Sequence, residues 1–293
     1  MFLENIKEAI TSIFSNKMRS VLTMLGIIIG ISAVITITTI GNSIQTTLTS
    51  TLNSLGGNTV QAYVDARYPE DDADWDTWEY PEMKTSDFVT QEMIDELVEK
   101  YPNEFDGIAA SEFLGNGQIR QDKNTYANVS VQGTTSEYID YMKLKMYAGR
   151  NLTKQDNKTK KNVCIVADTM AKQYFGDENP IGEQITYAGS DGNLYNFTIV
   201  GIYEYNAALF GKVDTSVPEK DRSTTMFIPI QTCFKLMGKD QSGYTIFNLM
   251  VNSLADIDQA TTDVTNFFEE KYANNENFHV TTYNMASDLY IIH

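Results

Sequence analysis

The chain has 293 residues and a formal net charge of −17. Acidity on this scale repels nucleic acid, and no basic stripe with interleaved aromatics offsets it. Its length allows one large domain or two small ones.

Residues 1–19 open the chain with an amphipathic pattern, Phe2, Ile6, Ala9, Ile10 and Ile13 recurring at helical spacing. Beside a membrane span such a helix lies along the inner surface; the plain alternative is a cytoplasmic tail with no task. Next comes LTMLGIIIGISAVITITTI, residues 22–40, within a stretch from Arg19 to Asp65 that contains no other charged side chain. Nineteen residues rise about 28 Å as a helix, close to the roughly 30 Å hydrocarbon thickness of a bilayer. A helix apolar on every side is a membrane span or the centre of a large core. A secretion signal fits less well, because its apolar region is shorter and a small-residue cleavage site should follow. The reading is an uncleaved transmembrane helix over 20–41. Lys17 and Arg19 precede it and no charge follows closely, which places the N-terminus in the cytoplasm and the large remainder outside. Within the span Gly26 and Gly30 stand four apart, a spacing that lets another helix approach closely in lipid.

Beyond the span Ile44, Leu48, Leu52 and Leu55 recur among Ser, Thr, Gln and Asn. That is an apolar seam on a polar helix, and it predicts a stalk over 42–57 packed against a partner, stopped by Gly56-Gly57. The strand NTVQAYV follows, then an acidic loop. In the loop Asp72, Asp74 and Asp76 imitate a calcium site, but Thr77 and Met83 occupy the positions that need Gly and Glu. Trp75 and Trp78 there serve either a ligand or, more simply, packing on the domain surface. TQEMIDELVEKYP is a helix capped by Thr90 and closed by Pro102, with Met93, Ile94, Leu97 and Val98 inward. Strands follow at GIAASEF and NVSVQG. A second helix, LADIDQATTDVTNFFEEKY, with Ile257, Ala260, Val264, Phe267 and Phe268 inward, lies between the strands YTIFNLMVNS and FHVTTYN. These two strand–helix–strand units suggest one α/β layer over 58–135 and 244–285, split by a mostly β insert over 136–243. In the insert, DTMAKQYF is a short helix expected to be capped by Asp168 and ended by Gly176. Cys164, in NVCIVAD, and Cys233, after MFIPIQT, allow either one disulfide or two unlinked buried thiols.

No catalytic constellation emerges. The chain has no G-x-x-x-x-G-K-[ST] and no H-E-x-x-H, and its two histidines, His279 and His293, support neither a zinc site nor a triad. No enzyme activity, cofactor or metal is expected.

The stretch YAGRNLTKQDNKTKKNVCIVADTMAKQYFGDENPIGEQITYAGSDGNLYNFTIVGIYE resembles the extracytoplasmic domain of MacB-type ABC transporter permeases. Its GR-x-L-T-x-x-D opening, its A-x-x-x-FG-x-E-x-PIG segment and its closing VGI follow that family's order. The start of the chain, together with TTMFIPIQT and VNSLADIDQATTDV, also looks like the family. The resemblance implies an α+β fold with a porter-like part and an inserted sabre-like part. It implies a cytoplasmic ATPase subunit, a second permease subunit and a membrane-fusion adaptor as partners, in a mechanism called mechanotransmission: stalks carry ATP-driven motion to the exterior. Phe175, Gly176, Pro180 and Gly182 would form a family turn serving folding. The family has three further spans, so residues 286–293 are expected to start a second stalk in a fragment or truncated chain. Two other classes stay open: a regulatory relative acting on a cell-wall hydrolase or sensor kinase, and a single-span surface protein that binds a ligand.

Overall fold

The computed structural model describes residues 4–6, 8, 17–54, 58–69, 78–121, 125–206, 209–210, 216–238, 243–252 and 255–284. They fall into two compact units, divided between residues 53 and 54.

The first unit is dominated by one helix, α1 (Lys17–Ser54), 38 residues long. At 1.5 Å per residue it reaches about 57 Å. Val21–Gly41 has a mean hydropathy of 2.4 and none of it is buried. The span's threonines do not need outside partners. The hydroxyls of Thr23, Thr36 and Thr39 donate to the carbonyls of Arg19, Ser32 and Ile35, one turn back, at 2.9, 2.7 and 2.7 Å. Back-bonding of this kind hides polar groups from lipid. Helical backbone continues unbroken past Gly41, so the expected division between span and stalk is a change in composition only. Leu55, the Gly56-Gly57 stop, residues 70–77 of the acidic loop with Trp75, most of 1–19 and all of 286–293 lie outside the described residues.

The second unit contains two sheets. The first is antiparallel, with strand order β11-β1-β10-β2, built from β1 (Thr59–Ala66), β2 (Phe105–Ala109), β10 (Ile246–Val251) and β11 (Phe278–Asn284). On its inner face Val60 pairs with Leu249 and Ala62 with Phe247. Two helices, α2 (Gln91–Lys100) and α7 (Ile257–Lys271), supply Ile94, Leu97, Ala260, Val264, Phe267 and Phe268 to the same core. Met93, Val98 and Ile257 are only half-buried at its margin. The hydroxyl of Thr90 accepts from the amide of Met93, capping α2 at 3.3 Å, and Asp256 caps α7. Trp78 packs beside this core, 5.1 Å from Tyr68 and 6.0 Å from Tyr80 between ring centroids.

The second sheet contains β3 (Ser111–Arg120), β4 (Tyr126–Thr134), β5 (Met146–Gly149), β6 (Val163–Ala167), β7 (Gln184–Gly189), β8 (Leu194–Tyr203) and β9 (Thr224–Pro229). Its order is β5-β8-β6-β9-β4-β3-β7, and β7 pairs again with β8. Six of the strands therefore close into a barrel, with β5 added on the side of β8. Every residue of β6 is buried, as its unalternated apolar run requires. The expected boundary at residue 135 moves: β3 and β4, placed by sequence with the α/β layer, belong to the barrel. β4 runs parallel to β9 from Val129–Thr224 to Thr134–Pro229, and β3 pairs with β7 through Gly117–Gly189. Alternating patterns mark strands but not the sheet each one joins.

The short helices α3 (Tyr138–Tyr141), α4 (Lys154–Lys158), α5 (Asp168–Phe175) and α6 (Ile230–Leu236) lie among the barrel strands in sequence. In α6, Ile230 and Phe234 enter the first core while Cys233 enters the barrel core. Gly133 on β4 makes room for α6, since a Cβ there would stand 2.2 Å from that of Cys233. Cys164 and Cys233 are both buried and are not bridged. Burial pushes the Cys164 thiol well above its ordinary pKa, so it is an inert core residue. Asp168 is the first residue of α5 rather than its cap; its carboxylate accepts from the amides of Thr169 and Tyr205 at 2.7 and 3.0 Å.

Phe268 is fully buried, with ring centroids 5.9 Å from Phe247 and 5.2 Å from Phe267. Phe268→Ala is expected to destabilise the outer unit by about 3–5 kcal/mol. Chemical denaturation followed by near-ultraviolet circular dichroism checks this.

Candidate functional site

Two groups of residues stand out by position. The first lies along α1. A Cβ built on Gly26 or Gly30 meets nothing within 4 Å, so among the described residues no packing demands glycine there. Their Cα positions share a line with the stalk residues. Gly26, Gly30, Ala33, Ile37, Gly41, Ile44, Leu48 and Leu52 follow at separations of 4, 3, 4, 4, 3, 4 and 4. At 100° per residue that places them on one side of a single helix, Gly or Ala except for Ile37 up to Gly41 and Ile or Leu beyond it. The spacing repeats every 11 residues: Gly26, Ile37 and Leu48; Gly30, Gly41 and Leu52; Ala33, Ile44 and, outside the described residues, Leu55.

The second group is a joint on β8. Gly149 has φ +74°, and a Cβ there would lie 2.4 Å from the Val200 carbonyl oxygen. Reciprocally, a Cβ on Gly201 would lie 2.2 Å from the carbonyl oxygen of Arg150. The amide of Arg150 donates to the Val200 carbonyl at 2.9 Å, so the two glycines let two backbones touch. The family turn closes on the same strand. Gly176, at φ +65°, ends α5, and its amide donates to the Lys172 carbonyl. Pro180 is buried. The Gly182 amide, at φ +93°, donates to the Ile199 carbonyl at 2.8 Å, and the Ile199 amide donates to the Glu183 carbonyl at 3.0 Å. Phe175 packs half-buried on the barrel core. The turn residues picked from sequence thus meet the Gly-Arg segment at one place, while Gly26, Gly30 and the stalk positions belong to the other unit.

Sequence reasoning quoted the Gly-Arg segment but missed its charged centre. Asp156 is 1% exposed. Arg150 grips it with two guanidinium bonds, at 2.6 and 3.2 Å. Thr153 donates to it from both amide and hydroxyl, at 3.0 and 2.7 Å, and its own hydroxyl accepts from the Asp156 amide in a capping box. The ammonium of Lys161 lies 3.6 Å away. Burial alone would push the carboxyl up, but the hydrogen bonds from Arg150 and Thr153 outweigh it and hold the pKa at about 2. The signal was legible: Thr-x-x-Asp is a capping pattern in its own right. This carboxylate is fully paired and structural. Among the described residues no group of three metal-binding side chains occurs.

These features define an anchored α+β domain whose distinctive sequence segments meet at a folding joint. Residues 20–267 match the family described as MacB-like periplasmic core domain, and the chain belongs to that family. It is 24% identical over 225 residues to the macrolide export ATP-binding/permease protein MacB of Neisseria gonorrhoeae, covering 77% of this chain and 32% of that one. It is 27% identical over 278 residues to the uncharacterized ABC transporter permease YknZ of Bacillus subtilis, covering 95% and 63%. The chain thus spans about a third of the first relative's length. Solved structures with the same fold include the periplasmic region of MacB from Actinobacillus actinomycetemcomitans, at TM-score 0.53 and 14% identity over 83% of this chain and 96% of that one. The extracellular domain of YknZ from Gram-positive bacteria matches at TM-score 0.50 and 18% identity, over 76% and 100%. The chain therefore joins an apolar N-terminal helix to an α+β domain of the MacB-like periplasmic core family.

The folded pKa of Asp156, about 2, lies below its ordinary 3.8. The carboxylate therefore stabilises the fold fully above about pH 4, and that contribution, about 2 kcal/mol, is lost as pH falls towards 2. Stability measured from pH 5 to pH 2 should decline along this course in the parent chain. In Asp156→Asn it should begin lower and lose that component of the slope.

Proposed function

We propose that this chain is a permease subunit of an ABC transporter, coupling ATP hydrolysis in a separate cytoplasmic ATPase to work on a substrate outside the membrane. One observation carries the reading: an apolar span and a polar extension form one 38-residue helix with no proline. Continuous helical backbone through both segments offers one element along which displacement can pass. A flexible tether would not. In this reading Gly26 and Gly30 allow close helix contact in lipid, and Ile44, Leu48, Leu52 and Leu55 form the seam against a second permease subunit. The basic residues before the span support a cytoplasmic N-terminus. An adaptor protein is a further partner suggested by the family resemblance. The Neisseria gonorrhoeae relative's printed name gives macrolide export, which makes macrolides the first cargo to test.

Placing a carboxylate on the seam tests the coupling. Leu48→Asp, in the chain assembled with its ATPase, should lower macrolide export at least about tenfold, the effect of burying an unpaired charge. ATP hydrolysis and membrane expression should stay measurable. Undiminished export in this variant would refute the role of the seam.

A further inference from the structure

The outer unit contains an open cleft of about 650 Å³, within the roughly 300–1,000 Å³ of ligand sites. One wall is a ridge of α2, where Glu92, Asp95 and Glu99 stand three and four residues apart on one helix face, all exposed. The other wall carries Lys154 and Lys158, one turn apart on α4 and also exposed. Between them Val98, Ile108 and Tyr244 contribute apolar surface. Asp106 and Gly107 also line the cleft, and β2 is the edge strand of its sheet. Lys154 is paired with Glu137 at 3.2 Å, but among the described residues no ion pair joins Glu92, Asp95 or Glu99 to Lys158. Lys154 is thus balanced by Glu137, which also lines the cleft, while Lys158 and the three α2 carboxylates face the shared apolar surface without pairing with one another.

We infer that this cleft binds a short extended peptide segment carrying a basic and an acidic side chain at an odd separation. Successive side chains of an extended chain point to opposite sides, so residues one or three apart send their charges to opposite walls. The basic group would meet the α2 carboxylates and the acidic group the α4 lysines. Apolar side chains would cover the floor between the two charged walls. Charge complementarity selects this occupant: a purely anionic or purely cationic ligand is repelled by one wall, and a neutral apolar one leaves both ridges unanswered.

The inference goes beyond the transport reading and needs no ATP, so failed export and failed binding are separate results. The test is calorimetric titration of the full chain in nanodiscs with end-capped Lys-Val-Val-Glu, against Gln-Val-Val-Gln as control. The charged peptide should bind in low salt and lose affinity as salt rises. Removing two surface charges with Glu92→Gln and Glu99→Gln together should weaken it about fivefold, as should Lys158→Gln with Lys154→Gln. All four side chains are exposed, and unchanged circular dichroism would show that the variants remain folded. Equal affinity for the neutral control, indifference to both pairs of substitutions, or no heat at millimolar peptide would each overturn the proposal.

Discussion

Everything in this chain hangs on a constraint that lipid imposes on backbone. Inside hydrocarbon each peptide group must be bonded within the segment itself, and only a helix achieves this for a single span. α1 meets that demand and then continues. Its regular hydrogen bonding does not stop where the apolar residues give way to Ser, Thr, Gln and Asn after Gly41. Beyond the membrane, water would satisfy those backbone groups and helix is no longer compulsory. In this polar continuation Ile44, Leu48 and Leu52 recur at helical spacing.

The outer unit solves a different problem. An antiparallel sheet and a mixed one share one compact body, and two features bind them. Helix α6 gives side chains to both cores, seated on Gly133. Thr135, immediately after β4, donates its hydroxyl to the carbonyl of Ile108 at 2.8 Å and accepts from the amide of Ala110 at 3.1 Å. A buried hydroxyl that serves both a donor and an acceptor at a strand end takes the place of a missing neighbour strand. The joint on β8 plays a similar part inside the barrel. The Gly149 and Gly201 contacts hold the Gly-Arg segment against β8, and the Arg150–Asp156 pair fixes its direction.

The sequence was most legible where one period dominated. The span, both amphipathic helices and most strands follow from their patterns, because period 3.6 and period 2 report directly on which face meets the core. Which sheet takes β3 and β4 was not legible, since that depends on pairing with β7 and β9, which lie 50 to 100 residues later in the chain. Asp168 was misread as a cap because a carboxylate at the first position of a helix looks the same in one dimension. The site was legible in part. The glycines at 26 and 30 and the apolar seam stand out by composition, whereas the Arg150–Asp156 pair hid in a polar run, and the charged cleft needs α2 and α4 brought side by side. That proximity is a product of tertiary packing alone.

The 11-residue recurrence along α1 has a geometric corollary. Eleven residues fill three turns and overshoot by about 20°, so the line of small and apolar positions winds slowly in the right-handed sense. A seven-residue repeat winds faster and the other way. A second helix that followed this line would cross α1 in the right-handed sense, opposite to that of a heptad-paired coil.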